Sequence, residues 1–94
     1  MSTNPDYKIT LEDRAAERAV ILLLDGKFGQ DALPDLEQSL SEAKERDRKV
    51  YIDLSEVTLV DRKAVQYFSQ QAGRDVELVN CPVYLRRWIR AGRE

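Results

Sequence analysis

The sequence predicts an α/β fold, a four-stranded mixed sheet with three helices in the order β-β-α-β-α-β-α. Three observations predict it. Apolar and polar residues alternate over Tyr7-Lys8-Ile9-Thr10-Leu11 and over Val50-Tyr51-Ile52-Asp53-Leu54, the period of a strand. Apolar residues recur three and four apart at Leu33, Leu36, Leu40 and Ala43, the period of a helix. From residue 19 onward, strand and helix patterns take turns, which implies right-handed crossovers and mostly parallel pairing.

Residues 1–6 are polar, contain Pro5 and read as a frayed end. The first strand covers residues 7–11. Residues 13–18 form a charged connection. The apolar run of residues 19–24 suits a second strand covered on both faces. Asp25-Gly26-Lys27 ends it, with Gly26 supplying backbone freedom. In the first helix Asp31 is a candidate cap, and Pro34 fits only within the first turn. Residues 44–49 are a solvated, charge-dense helix end. The third strand follows, and Val57, Leu59 and Val60 carry its apolar material towards a turn. Asp61 stands where a helix cap belongs. Ala64, Val65, Phe68 and Ala72 share one face of the second helix, and Gly73 is its stop. Residues 76–79 form the fourth strand. Asn80 or Cys81 caps the third helix, Pro82 takes its first position, and Leu85, Trp88 and Ile89 form its apolar face.

The 94 residues suit one domain, residues 1–94, and 43% hydrophobic with 34% charged residues is a globular balance. No apolar run approaches the roughly 18 residues of a membrane span, and the N-terminal MSTNPDYK lacks the pattern of a signal peptide. A cytoplasmic location is expected. The absence of histidine excludes His-based acid–base catalysis and most zinc sites. A single cysteine, Cys81, excludes an internal disulfide. A net charge of -2 and a pI near 5.2 give no signature of nucleic-acid binding. No cofactor is expected.

Three stretches, VILLLDGKFGQDALPDLEQSL, VYIDLSEVTLVDRKAV and VELVNCPVYLRRWI, resemble a STAS domain, the fold shared by anti-anti-sigma factors and the cytoplasmic tails of sulfate transporters. The middle stretch is the most specific. STAS domains carry a strand ending Asp-Leu-Ser, a Val-Thr-hydrophobic step, then Asp-Ser-Ser-Gly opening a helix. Asp53-Leu54-Ser55, Val57-Thr58 and Val60-Asp61 match this pattern. Arg62 and Lys63 then replace the two serines, and Ala64 replaces the glycine. The resemblance implies a non-catalytic protein-binding module of a bacterial regulatory system. The implied partner is an anti-sigma factor of the histidine-kinase-like class or another STAS domain. In anti-anti-sigma factors the second serine is phosphorylated by the partner, and the added charge of about -1.5 to -2 releases it. Lys63 cannot accept phosphate in that way, so the serine switch is absent. The implied partner surface is the Asp61 turn with Arg62 and Lys63, the outward face of its helix at Gln66, and Lys27 and Phe28 after the second strand.

Two other readings stand beside this one. Cys81-Pro-Val-Tyr-Leu-Arg-Arg87 has the C-x5-R spacing of phosphatase and rhodanese loops and lies between a strand and a helix. Such a loop needs inward backbone N–H groups, and this one has no glycine, while Pro82 deletes a donor. The second alternative is a self-associating subunit, a homodimer. Ser55 and Thr58 are hydroxyls near the turn with structural duty expected of them. Arg86, Arg87, Arg90 and Arg93 form a solvated basic stripe, and no glycine-rich cradle exists for a nucleotide.

Overall fold

The computed structural model describes residues 6–72 and 76–92. Strand β1 (Tyr7–Arg14) runs antiparallel to β2 (Ala19–Phe28), which is parallel to β3 (Lys49–Val60), itself parallel to β4 (Val76–Val79). Helix α1 (Leu33–Lys44) joins β2 to β3, α2 (Arg62–Gln71) joins β3 to β4, and α3 (Val83–Gly92) follows β4. The order in space is β1-β2-β3-β4, so the fold is α/β with a four-stranded mixed sheet and three helices.

Successive parallel strands advance in one direction across the sheet, and right-handed crossovers then place α1 and α2 on one face. Burial follows. Val20, Leu22 and Leu24 of β2, Val50, Ile52 and Leu54 of β3 and Val76 of β4 are buried against the helices. They meet Leu36 and Leu40 of α1, Phe68 of α2 and Leu85 of α3 in a single core. Each such side chain contributes about 1.5–3 kcal/mol by leaving water. The alternate residues Ile21, Leu23, Tyr51 and Val79 point to the other face and are only half-buried. The apolar run of residues 19–24 is therefore covered on one face, not on both. Its uninterrupted hydrophobicity hides the alternation that burial reveals.

The strands are longer than local patterning predicts. β1 continues through the charged residues to Arg14, because each of them has a partner on β2 up to Arg14 opposite Ala19. β2 continues through Asp25, Gly26 and Lys27, with register shifts against β3 that absorb the irregular stretch. Asp6 is not frayed, since its carbonyl accepts from the Lys27 N–H at 2.9 Å. The remaining residues read as a frayed end, and Gly73 read as a stop, lie outside the described residues.

Helix ends follow the sequence in part. Pro34 lies in the first turn of α1, as predicted. Asp31 does not cap it. Residues Gln30–Ala32 make a short 3-10 turn instead, and Ala32 stands at the cap without a side-chain bond. Asp61 caps α2 as predicted, with Ala64 as its donor. Ala72 has extended backbone and leaves the helix to form an isolated bridge with Val76. Pro82 precedes α3, and its carbonyl accepts from the Arg86 N–H at 2.9 Å. Leu85 and Ile89 pack into the core, whereas Trp88 is 42% exposed, so the apolar face of α3 is narrower than predicted. Among the described residues no helix is long and apolar enough to cross a membrane.

Candidate functional site

The turn between β3 and α2 is fixed by one side chain. The Asp61 carboxylate accepts from the Ala64 N–H through Oδ1 at 2.9 Å and from the Gln30 N–H through Oδ2, also at 2.9 Å. The first bond caps α2. The second reaches across to the segment after β2, which the backbone also ties through the Asp61 N–H and the Phe28 carbonyl at 3.3 Å. Gly29 makes room for this clasp, because a Cβ there would lie 2.8 Å from Asp61 Oδ2. The Ala64 N–H above all, helped by that of Gln30, holds the Asp61 carboxyl below the usual carboxylate range.

A carboxyl held low in the folded state stabilises the fold above its unfolded pKa of about 3.9, and that contribution is lost as pH falls through the folded value. Asp61→Ala is therefore expected to lower stability by about 1–2 kcal/mol at neutral pH, with the deficit shrinking below about pH 4. Urea unfolding of both proteins at pH 7 and pH 3 measures this. An equal deficit at both pH values would assign the loss to packing rather than to the charged clasp.

Arg62, Lys63 and Gln66 are exposed on α2, three and four residues apart and so on one stripe. Lys27 is exposed near the end of β2, and its register partner on β3 is Leu59. Leu59 is 56% exposed. None of the ion pairs among the described residues involves Lys27, Arg62 or Lys63. Two cations in the first turn of α2 also oppose the helix dipole, so local helix stability does not account for them.

Phe28 does not belong to this surface. It has 0% exposure and packs on Tyr7 with ring centroids 5.3 Å apart. It is the last residue of β2 rather than a loop residue, and pairing with Val60 turns it into the core. Leu59 takes the exposed apolar role instead. Sequence reading missed it because Val57 and Val60, three apart, are buried while Leu59 between them is exposed, a break in strand alternation. The Asp61–Gln30 link was equally invisible, since it spans 31 residues.

The Asp-Leu-Ser stretch has a structural account. Asp53 accepts from the Ser55 N–H at 2.9 Å and from the Asn80 side-chain amide at 3.1 Å. Burial pushes the Asp53 carboxyl up, but the Ser55 and Asn80 donors outweigh it and hold the carboxyl low. Asn80 sits in the left-handed region at φ 53°, which asparagine tolerates better than most residues.

Cys81 is half-buried, and burial pushes its thiol pKa up, against a smaller lowering by Arg86. An activated thiolate requires the opposite shift. The Arg86 guanidinium donates to the Cys81 carbonyl at 3.3 Å, so it serves the chain here rather than an anion. Arg87 is exposed. The side chains of Arg90 and Arg93 lie outside the described residues. Among the described residues no three Cys, Asp or Glu side chains gather to hold a metal ion.

No protein-family model matches this chain, and no curated relative matches its sequence.

Proposed function

We propose that this chain is a STAS-like, non-catalytic protein-binding module of a bacterial regulatory system, acting in the cytoplasm. Its partner surface is Arg62, Lys63 and Gln66 of α2 with Lys27 and Leu59 at the ends of β2 and β3. The observation that carries this reading is the exposed cationic turn on a rigid base. Asp61 clasps the turn to the neighbouring segment, while its cations have no ion-pair partner among the described residues. A preorganised surface of this kind loses little entropy on docking. Its charge suits an acidic protein surface, with Leu59 as an apolar anchor.

The STAS resemblance makes an anti-sigma factor or a second STAS domain the class of partner. Lys63 at the family's phosphorylated serine leaves binding without that switch, so the interaction is constitutive at this turn. Affinity capture from lysate of the native cells, with wild type beside Lys63→Glu, tests the assignment. The expected result is a partner held by wild type and lost, by tenfold or more in recovered amount, with the variant. A partner held equally by both, with the variant folded by circular dichroism, would move the interface elsewhere.

A further inference from the structure

The outer edge of β1 has a definite hydrogen-bonding phase. The Lys27 N–H donates to the Asp6 carbonyl, which makes Asp6 and Lys27 a hydrogen-bonded pair of the β1–β2 ladder. Such pairs alternate along an antiparallel ladder. Lys8, Thr10, Glu12 and Arg14 therefore direct their backbone N–H and C=O groups to β2. Tyr7, Ile9, Leu11 and Asp13 direct theirs outward, where no strand meets them among the described residues. A long edge with this many free groups is a template for another strand.

We propose that β1 pairs with β1 of a second copy of this chain, antiparallel about a two-fold axis at Thr10, joining two four-stranded sheets into one of eight strands. This surface uses none of the residues of the Asp61 turn, so it stands independently of the function proposed above.

The strand is self-complementary in this register. Ile9 lies opposite the partner's Leu11, and Tyr7 opposite the partner's Asp13. These are the outward-facing residues, so the hydrogen-bonded pairs of the new ladder fall where donors and acceptors are free. Lys8 lies opposite the partner's Glu12, and Thr10 opposite the partner's Thr10, in the non-hydrogen-bonded pairs where Cα atoms approach to about 4.5 Å and side chains sit closest. Two Lys–Glu pairs form on the bare face of the sheet. Moving the axis to Leu11 would set Lys8 against the partner's Arg14, and moving it to Ile9 would set Asp6 against the partner's Glu12. Charge therefore selects Thr10.

The helix side is complementary too. The Tyr7 hydroxyl donates to Asp35 near the start of α1. Asp13 is held by Arg46, at 3.3 Å, and by Arg48, both beyond the end of α1. Placing Tyr7 opposite the partner's Asp13 brings the Asp35 carboxylate towards the partner's Arg46 and Arg48. Between them, a groove of about 380 Å³ bordered by Tyr7 and Ile9 of β1 and by Gln38 and Ser39 of α1 receives the partner's Leu11. Ile9 and Leu11 are only half-buried in the single chain. Pairing completes their burial, as in an isologous dimer built on one edge.

The test is sedimentation equilibrium of wild type, Lys8→Glu, Glu12→Lys and the double variant. The expected result is a monomer–dimer equilibrium in wild type. Each single variant weakens it about tenfold, since two opposite-charge contacts become two like-charge contacts, and the double variant recovers wild-type association. Amide exchange provides the second measurement. Raising the concentration should slow exchange at Tyr7, Ile9, Leu11 and Asp13, whose N–H groups meet no strand among the described residues. Lys8, Thr10 and Glu12, already bonded to β2, should change little. A wild type that stays monomeric up to about 1 mM, the limit of measurable weak association, overturns the proposal. So does a dimer in which the two single variants add rather than cancel, or one that leaves Ile9 and Leu11 exchanging freely.

Discussion

Phe28→Ala is expected to destabilise the protein by about 3–5 kcal/mol. The ring is fully buried, packs against Tyr7 at 5.3 Å and belongs to the central core. Removing it sacrifices transfer free energy and leaves a cavity in that core. A domain of this size has about 5–15 kcal/mol in total, so the loss takes much of its stability and lowers the melting temperature by about 15–30 °C. Urea unfolding and a thermal melt measure both quantities. The variant also separates packing from recognition. At low temperature, where it is still folded, it should retain partner binding that depends on Lys63. A cost below about 1 kcal/mol would place Phe28 outside the packed core, since full truncation of a buried aromatic ring does not come so cheaply.

Gly26→Ala is expected to cost about 3 kcal/mol, more than any surface substitution in the chain. Gly26 has φ +99°, a conformation that disfavours any residue with a side chain. Its added Cβ would also lie 2.2 Å from the Asp6 carbonyl oxygen and 3.1 Å from the Tyr7 Cα. These are backbone atoms of the adjacent strand, so the relief is a shift of β1 away from β2. The Asp6–Lys27 hydrogen bond breaks first. Urea unfolding gives the total, and exchange of the Lys27 amide locates it. A loss within about 0.5 kcal/mol, with the Lys27 amide still protected, would mean that the strand end relaxes freely and that the close approach carries no strain.

The sequence made legible whatever depends on local period. Leu36, Leu40 and Ala43, with Ala64, Val65 and Phe68, are the buried stripes of α1 and α2. Ile52 and Leu54 are the buried face of β3. The Asp61 cap was legible too, because capping is satisfied within three residues. What escaped was set at a distance. β1 runs through charged residues because β2 pairs with them, and no local pattern encodes that. Asp31 gave up its expected cap to a 3-10 turn whose carbonyls and N–H groups bond locally. Trp88 and Leu59 look like core by composition and are exposed by geometry. In the candidate site, Arg62, Lys63, Gln66 and Lys27 are exposed, as their polarity implies. Phe28 is not: β2 runs on past Gly26, and Phe28 keeps the even-numbered alternation of Val20, Leu22 and Leu24, which turns its ring into the core.

The order of strands in space is also their order along the chain. No strand has to be inserted between two others already in place. As the polypeptide leaves the ribosome, β1 and β2 can zip across a turn of only a few residues, and each later strand then meets the exposed flank of a sheet already laid down. Loop closure is shortest for the first pair and grows only by the length of one helix for each strand added. The chain thus assembles by accretion from its N-terminal hairpin. The flank completed first, the outer side of β1, stays an edge, since every later strand of the described chain adds on the opposite side.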